Sequence, residues 1–425
     1  MYGQDWLRTY TKKEKDMIAD DKYRDHIKST LLVLKKKMLR RTSDFFDSED
    51  IRDYVEAVVF LKERGYSIGA EGTLERYEKL PEQDRRILDE LDYPANLKKL
   101  ISEGKLEAVL KLLVKSGLFQ AENGAVAPAP GALFEEVVMG YDNWGMRGSV
   151  QQTDNISAVM QELLLQGISS GADGEISIYD MAMGKGFLLS GTVSKVEKLY
   201  PQAHVVCAGQ EKDPRKYSIA EADAILKGIE HDYVNADVIP QDHFVGKTFS
   251  LVITGFPAET NWGAYANEVI EEYKTIPFGR FQPGLPGVYN GQILYLLNGI
   301  AKMAKKGKMA IVMTHDALVD PRVKEMENIR RYVLENDWIE TIVRTKAKVK
   351  MRKFSCIYIL NNNETSQRAG KIQIIDMADE MVEGKELVLQ AYEDFCDRVY
   401  KDRELMVKSR ICSAEEYEDI LCTKG

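Results

Sequence analysis

Three acidic residues and one glycine turn carry the spacing of a binding site for a small polar ligand. Ile176 to Leu189 reads Ile-Ser-Ile-Tyr-Asp-Met-Ala-Met-Gly-Lys-Gly-Phe-Leu-Leu. A short apolar strand closes on Asp180, Gly184 and Gly186 flank Lys185, and an apolar helical run follows. Strand, glycine turn and helix form the opening unit of a nucleotide-type α/β fold. Glycines there let the backbone approach a ligand, and the helix start favours polar or anionic groups. The competing reading is a turn that carries glycine for geometry alone. Glu211 follows at about the distance of a ribose-binding acid. A carboxylate at that point would accept both ribose hydroxyl protons, and Asp237 could accept from an adenine amino group. Each acid alone reads as a solvated strand end, whereas successive strand ends bearing acids point to a nucleoside-type ligand.

These residues need a sheet to hold them, and the sequence supplies one. From Ser177 onward apolar strands alternate with helical patterns. Strands are expected at Ala203–Gly209, Tyr233–Val234, Phe249–Ile253, Met309–Thr314, Ile339–Arg344, Cys356–Leu360 and Ile372–Ile375. Helices are expected from Asp213 to about Gly228, at Gly291–Lys305 and at Glu325–Asn336. The alternation implies a mostly parallel, doubly wound sheet. Its ligands bind outside the carboxyl ends of the strands, where Asp180, Glu211, Asp237 and the Thr254–Pro257 turn fall. Ala258–Tyr289 reads as a long polar loop with aromatics. Upstream, Thr153, Asp154 and Asn155 offer capping side chains before Ile156.

The N-terminal third reads as helical, at Asp21–Arg41, Asp50–Arg64, Pro81–Leu91 and Leu106–Ser116. Its Lys35–Lys37 and Arg40–Arg41 cluster suits a solvated helix face or a phosphate contact. Gln120–Gly131, rich in Ala, Pro and Gly, reads as a linker. The expected organisation is a helical N-terminal domain over 1–119, a linker over 120–132, an α/β core over 133–377 and a charged helical tail over 378–425. With 425 residues, 44% of them hydrophobic and 29% charged, the chain suits a soluble protein of more than one domain. It has neither a run of ~18 apolar residues nor a signal-peptide pattern, so a cytoplasmic protein with no membrane partner is expected. The five cysteines lack CxxC spacing, so neither a disulfide frame nor a metal site is indicated. The net charge of −9 argues against nucleic-acid binding by bulk charge and leaves room for a local basic patch.

One such patch exists. Arg344, Lys346, Lys348, Lys350, Arg352 and Lys353 crowd one segment, mostly at alternate positions. In an extended conformation alternate residues share a face. A basic comb of this kind would grip DNA phosphates in a salt-dependent way, and the competing reading is a solvated edge blunted by lysine.

Several ordered segments carry a family resemblance. Asp180–Leu189, Gly209–Tyr217 leading to Leu226–Ile229, Gly246–Val252, Phe278–Phe281 with Gly284–Pro286 and Asn290, and Cys356–Leu360 resemble the modification subunit of type I restriction systems. That family comprises adenine-N6 DNA methyltransferases using S-adenosylmethionine. The resemblance covers nearly the whole chain. It implies a Rossmann-like S-adenosylmethionine-dependent methyltransferase core with an all-α N-terminal domain, S-adenosylmethionine as cofactor, and DNA and other restriction-modification subunits as partners. It places the cofactor on Thr153, Asp180, Gly184, Lys185, Gly186, Glu211 and Asp237.

The departures are chemically specific. Where the family's cofactor loop reads Asp-Pro-x-x-Gly-Thr-Gly-Gly-Phe, Lys185 and Phe187 replace the threonine and the third glycine. The family's catalytic Asn-Pro-Pro-Phe/Tyr falls on Gly255-Phe256-Pro257-Ala258. The asparagine accepts a hydrogen from the target amino group, and the aromatic stacks on the flipped base. Gly255 has no side-chain acceptor and Ala258 has no stacking face. Asn261 and Trp262, just downstream, are candidate substitutes, with a plain surface loop as the competing reading. The expectation is a non-catalytic or weakly active homologue in DNA modification or restriction. The alternative is an active adenine-N6 DNA methyltransferase using a rearranged loop.

Overall fold

The computed structural model describes residues 29–30, 33–34, 48–67, 69, 72–116, 149–168, 174–255, 261–314, 317–318, 325–349, 353–363, 366–377, 385–402 and 405–422. Most of the expected helix at 21–41 and the 120–132 linker lie outside the described residues. The chain divides into two compact units. One comprises residues 1–147 with 184–187 and 213–230, and the other comprises 148–183, 188–212 and 231–425.

The first unit is helical. Helices α1 (Ser48–Glu63), α2 (Thr73–Glu78), α3 (Glu82–Glu90), α4 (Tyr93–Ser102) and α5 (Leu106–Lys115) follow one another. Their apolar faces meet in a core that includes Val58, Phe60, Leu88, Leu97 and Val109. Tyr54 stacks on Tyr93 with ring centroids 5.7 Å apart. A helix that the sequence pattern assigns to the α/β core joins this unit. It is α8 (Pro214–Leu226), which places Ile219 and Ala222 in the same core. The reason is legible at its start. Asp213 caps it by accepting from the Arg215 and Lys216 amides, and Pro214 occupies the first turn. Arg215 then reaches the fully buried Asp53 at 2.6 Å and Asp92 at 3.0 Å.

The second unit is a ten-stranded sheet in the order β3-β2-β1-β4-β5-β7-β6-β8-β10-β9. The strands are β1 (Glu175–Asp180), β2 (His204–Gln210), β3 (His231–Val234), β4 (Phe249–Thr254), β5 (Met303–Thr314), β6 (Ile339–Val349), β7 (Lys353–Asn361), β8 (Ile372–Met377), β9 (Arg398–Asp402) and β10 (Leu405–Cys412). The first five pair in parallel, and the order reverses direction at β1 and β4. Beyond β5 the sheet is mixed, because β7 runs antiparallel between β5 and β6. The remaining helices are α6 (Ser149–Leu165), α7 (Phe187–Leu199), α9 (Ala266–Thr275), α10 (Gln292–Lys302), α11 (Glu325–Glu335), α12 (Lys385–Asp394) and α13 (Ala414–Cys422). Tyr179, Val252, Leu296, Met309, Ile311 and Tyr358 lie in the buried core on this sheet. Among the described residues no helix is long and apolar enough to cross a membrane.

Three expectations are corrected. The tail is not wholly helical: β9 and β10 form an antiparallel pair, and β10 pairs with β8. In β10, Val407, Ser409 and Cys412 are buried while Lys408 and Arg410 are exposed. The charges that suggest a solvated helix are the outward half of a strand alternation near a sheet edge. The segment after β4 is not a plain loop, since it contains a 3₁₀ turn at Gly263–Tyr265 and α9. Helix α9 buries Val269 alone among its residues, so it shows no apolar stripe. Finally, α6 starts at Ser149, which leaves Thr153, Asp154 and Asn155 inside the helix rather than at its cap.

Candidate functional site

Within the sheet unit, the carboxyl ends of β3, β2, β1 and β4 lie side by side, and the expected acids stand at them. Asp180 closes β1 in register with Gly209 of β2. It is buried, and its Oδ1 accepts the Ala182 amide at 2.9 Å. Removal from water pushes its pKa up to about 7, and the Glu211 charge adds to the rise. The Ala182 amide and the nearby Thr254 hydroxyl act in the opposite direction. That hydroxyl is fully buried beside the carboxyl. A solvent-shielded acid and a buried hydroxyl thus stand together at the strand switch point.

Glu211 follows β2. Its amide donates to the Val234 carbonyl at 3.1 Å, and its carbonyl accepts from Asn235 Nδ2 at 2.8 Å. These bonds fix its backbone against the end of β3. Asp237 accepts the Ile239 amide at 3.1 Å and pairs with Lys212 at 3.3 Å. Burial works against the Lys212 ammonium, but Asp237 outweighs it and raises the lysine pKa. Burial raises the Tyr265 pKa, and the Asp237 carboxylate adds to the rise. Burial also pushes the Tyr295 phenol up, and both Asp237 and Glu211 add to the rise. The structure therefore brings Glu211, Asp237, Lys212, Tyr265 and Tyr295 into one electrostatic neighbourhood. Sequence reasoning missed Lys212 and both tyrosines, because nothing in the spacing links residues 265 and 295 to strand ends far earlier in the chain.

Arg280 fastens the loop that bears Asp237. Its guanidinium donates to Glu272 through Nε at 2.8 Å and Nη2 at 2.7 Å. It also donates to the Val238 carbonyl at 2.7 Å, the Ile239 carbonyl at 2.9 Å and Asn298 Oδ1 at 3.1 Å. Asn298 in turn donates to the Met181 sulfur at 3.4 Å, in the loop after Asp180. A planar five-donor fork is the side chain that can satisfy so many acceptors at once. The Phe278–Phe281 segment held this residue in plain view, and only the fold reveals its partners.

The glycines of the β1 turn adopt the expected backbone, with φ of +59° at Gly184 and +79° at Gly186. They and Lys185 group with the helical unit, whereas Asp180, Glu211 and Asp237 belong to the sheet unit. Thr153 lies within α6. At the end of β4, a Cβ built on Gly255 would meet, among the described residues, only Leu188 Cδ2, at 3.9 Å. Phe256 and Pro257 lie outside the described residues.

The candidate substitutes are placed clearly. Trp262 is buried in the core, and its Nε1 donates to the Gly287 carbonyl at 3.1 Å. It is a packing residue rather than an open stacking plate, which corrects the expectation. Asn261 is exposed, and its Oδ1 accepts the Gly263 amide at 2.9 Å, holding the 3₁₀ turn. The basic segment forms the end of β6 and the start of β7, with Lys348 in register with Phe354 and Val349 with Lys353. Lys346 and Lys348 are on β6, while Lys350 and Arg352 lie outside the described residues. Arg344 leaves the comb, because both arms of its guanidinium bind Asp376 on β8 at 2.5 Å.

An N-terminal helical unit, a switch point lined by acids and an antiparallel strand beyond β5 define a Rossmann-like methyltransferase architecture. The N-6 DNA methylase family matches residues 133–420, and the chain belongs to that family. It is similar to the methylase subunit of the type I restriction enzyme MjaIX of Methanocaldococcus jannaschii, with 27% identity over 41% of this chain and 31% of that one. It is also similar to the HindI methylase subunit of Haemophilus influenzae, with 25% identity over 47% of this chain and 44% of that one. The matches thus span less than half the length of these curated relatives. The methyltransferase subunit of a type I restriction-modification system from Streptococcus thermophilus shares the fold, with a TM-score of 0.59, 18% identity and coverage of 94% of this chain and 97% of that one. A solved structure concerned with assembly and conformational transition of the type I restriction-modification system gives a TM-score of 0.60 at 12% identity, covering 94% and 89% of the two chains.

Proposed function

We propose that this chain is a divergent type I modification-subunit-like protein that acts on DNA beside other restriction-modification subunits and does not itself methylate adenine. The observation that carries this reading is the sequence at the end of β4, Gly255-Phe256-Pro257-Ala258. The adenine amino nitrogen is a poor nucleophile, because its lone pair is delocalised into the ring. Its attack needs acceptors that hold the amino hydrogens. Removing a positioned hydrogen-bonding group of this kind costs a factor of ~100 or more in rate. The burial of Trp262 strengthens the reading, since it removes one of the two candidate substitutes.

The acid-lined switch point fits S-adenosylmethionine in part. Glu211 would hold the ribose and Asp237 the adenine edge. The buried Asp180 and Thr254 would stand behind them at the ends of β1 and β4. The family resemblance also assigns Gly184, Lys185 and Gly186 to the cofactor. Bound cofactor supplies an electrophilic methyl group. These retained acids support the alternative of an active adenine-N6 DNA methyltransferase working through a rearranged loop. The basic segment from Lys346 to Lys353 is proposed to face DNA phosphates.

Two measurements separate the readings. Purified chain with saturating S-adenosylmethionine is expected to transfer no tritiated methyl group to DNA, whereas a specificity subunit or an active modification subunit remains its expected partner, and robust transfer by this chain would overturn the non-catalytic reading. Calorimetric titration with S-adenosylmethionine is expected to show binding that Glu211→Ala weakens by about 1–3 kcal/mol, the order for a lost hydrogen bond to a charged group. Equal binding by wild type and variant would remove Glu211 from the ribose.

A further inference from the structure

We propose that Tyr289 is a base-stacking residue of this chain, and that an unpaired DNA base lies against its ring at the carboxyl edge of β4 and β5. This rests on the reading of DNA as the ligand.

Tyr289 is 81% exposed. A lone exposed aromatic is ordinary surface, but this one stands on a turn fastened from both sides. From the β4 side, the Trp262 amide donates to the Val288 carbonyl at 3.0 Å, and its Nε1 donates to the Gly287 carbonyl at 3.1 Å. From the β5 side, Asn290 Nδ2 donates to the Ala317 carbonyl at 2.8 Å. Gln292 bridges Thr314 in both directions, donating to its hydroxyl at 2.8 Å and accepting its amide at 2.9 Å. The Asn290 amide also closes the turn on the Gly287 carbonyl at 2.8 Å.

The place is as telling as the rigidity. Thr254, the last residue of β4, is in register with Ile311, three residues before Thr314. The turn therefore sits at the exit of β5, beside the exit of β4. Trp262 leads out of the segment that follows β4, and the carbonyl it binds belongs to the residue before Tyr289. The family resemblance puts a base-stacking aromatic on the segment after β4, and a chain that binds an unpaired base needs such a face whether or not methyl transfer follows. The sequence offers alanine at position 258. A tyrosine has only two side-chain torsions, so on a turn whose backbone is fixed its ring loses little freedom on stacking, and it accepts any base because each base has a π-face.

The test uses the full chain and a single-stranded oligonucleotide carrying one 2-aminopurine, whose fluorescence falls when it stacks. Wild type is expected to quench the probe. Tyr289→Ala is expected to lose the quenching and bind about 5- to 150-fold more weakly, the range for removal of one base–aromatic stack. Tyr289→Phe is expected to keep both, because the ring and not the hydroxyl carries the interaction. The salt dependence of binding is expected to stay unchanged in all variants, since stacking releases no counterions. Phe278→Ala is the control. It removes a ring that is 95% exposed just beyond the C-terminal end of α9, and the quenching is expected to persist. If wild type binds and quenches but Tyr289→Ala does the same, the proposal falls and the DNA reading stands. If Tyr289→Ala leaves DNA binding intact and instead releases a partner subunit, the ring belongs to a protein interface and the proposal is equally overturned. If wild type binds no oligonucleotide, both readings fall together.

Discussion

Replacing Asp180 by asparagine should stabilise the folded protein, increasingly so as the pH rises from about 4 to 7. The carboxyl is buried at the end of β1, and its pKa of about 7 stands against an ordinary value of 3.8. Below pH 3.8 the group is protonated both folded and unfolded, so it contributes no pH dependence. Between 3.8 and about 7 the unfolded chain gives up a proton that the folded chain keeps. The folded state then binds more protons, and stability falls as pH rises. The gap is about 3 pH units. At about 1.4 kcal/mol per unit, Asp180 costs about 4 kcal/mol once the pH is above 7. Asparagine has nearly the same shape, keeps an oxygen for the Ala182 amide and carries no charge. Its new amide group faces the Thr254 hydroxyl. Urea denaturation of wild type and Asp180→Asn, followed by tryptophan fluorescence from pH 4 to pH 8.5, measures the effect. The difference between the two proteins cancels every other titrating group. It should be small at pH 4, grow through pH 5 and 6, and level off above pH 7 at up to about 4 kcal/mol in favour of the variant. A difference that does not vary with pH would refute the reasoning, and so would a variant less stable at pH 8.

Other perturbations probe other links. Arg280→Met should destabilise the sheet unit by about 3–5 kcal/mol, because it leaves Glu272 and the Val238 and Ile239 carbonyls without their donor; Arg280→Lys should recover only part of this, as read by the denaturation midpoint. Gly186→Ala should cost about 1–3 kcal/mol, since φ is +79° and the added Cβ would lie 2.9 Å from the Ala220 Cβ; a midpoint matching wild type would show that the helical unit relaxes around it. Replacing Lys346, Lys348 and Lys350 by glutamine should flatten the plot of log affinity for duplex DNA against log salt by roughly one unit for each phosphate that the protein no longer neutralises. An unchanged slope would leave the segment as a solvated edge.

Much of this protein is local and therefore legible in the chain. The glycine turn after Asp180, the Asp213–Pro214 helix start and the apolar strands declare themselves through backbone preferences and burial that involve near neighbours. The acids at successive strand ends could be placed, because a strand's exit is a sequence position. The loss of the acceptor at Gly255 is likewise a statement about one side chain. Tertiary structure decided what depends on distant partners. Tyr265 and Tyr295 feel the Asp237 charge only because the fold brings the Gly263–Tyr265 turn and α10 near it, and Arg280 gathers acceptors from residues 238, 239, 272 and 298. Trp262 and Arg344 show the same limit from the other side. Each looked free for a ligand, and each is held by a partner 25 or 32 residues away, Gly287 for the indole and Asp376 for the guanidinium. A residue's type sets what it can bind. Which partner it meets is set by how the strands are ordered, and that order is a property of the whole sheet.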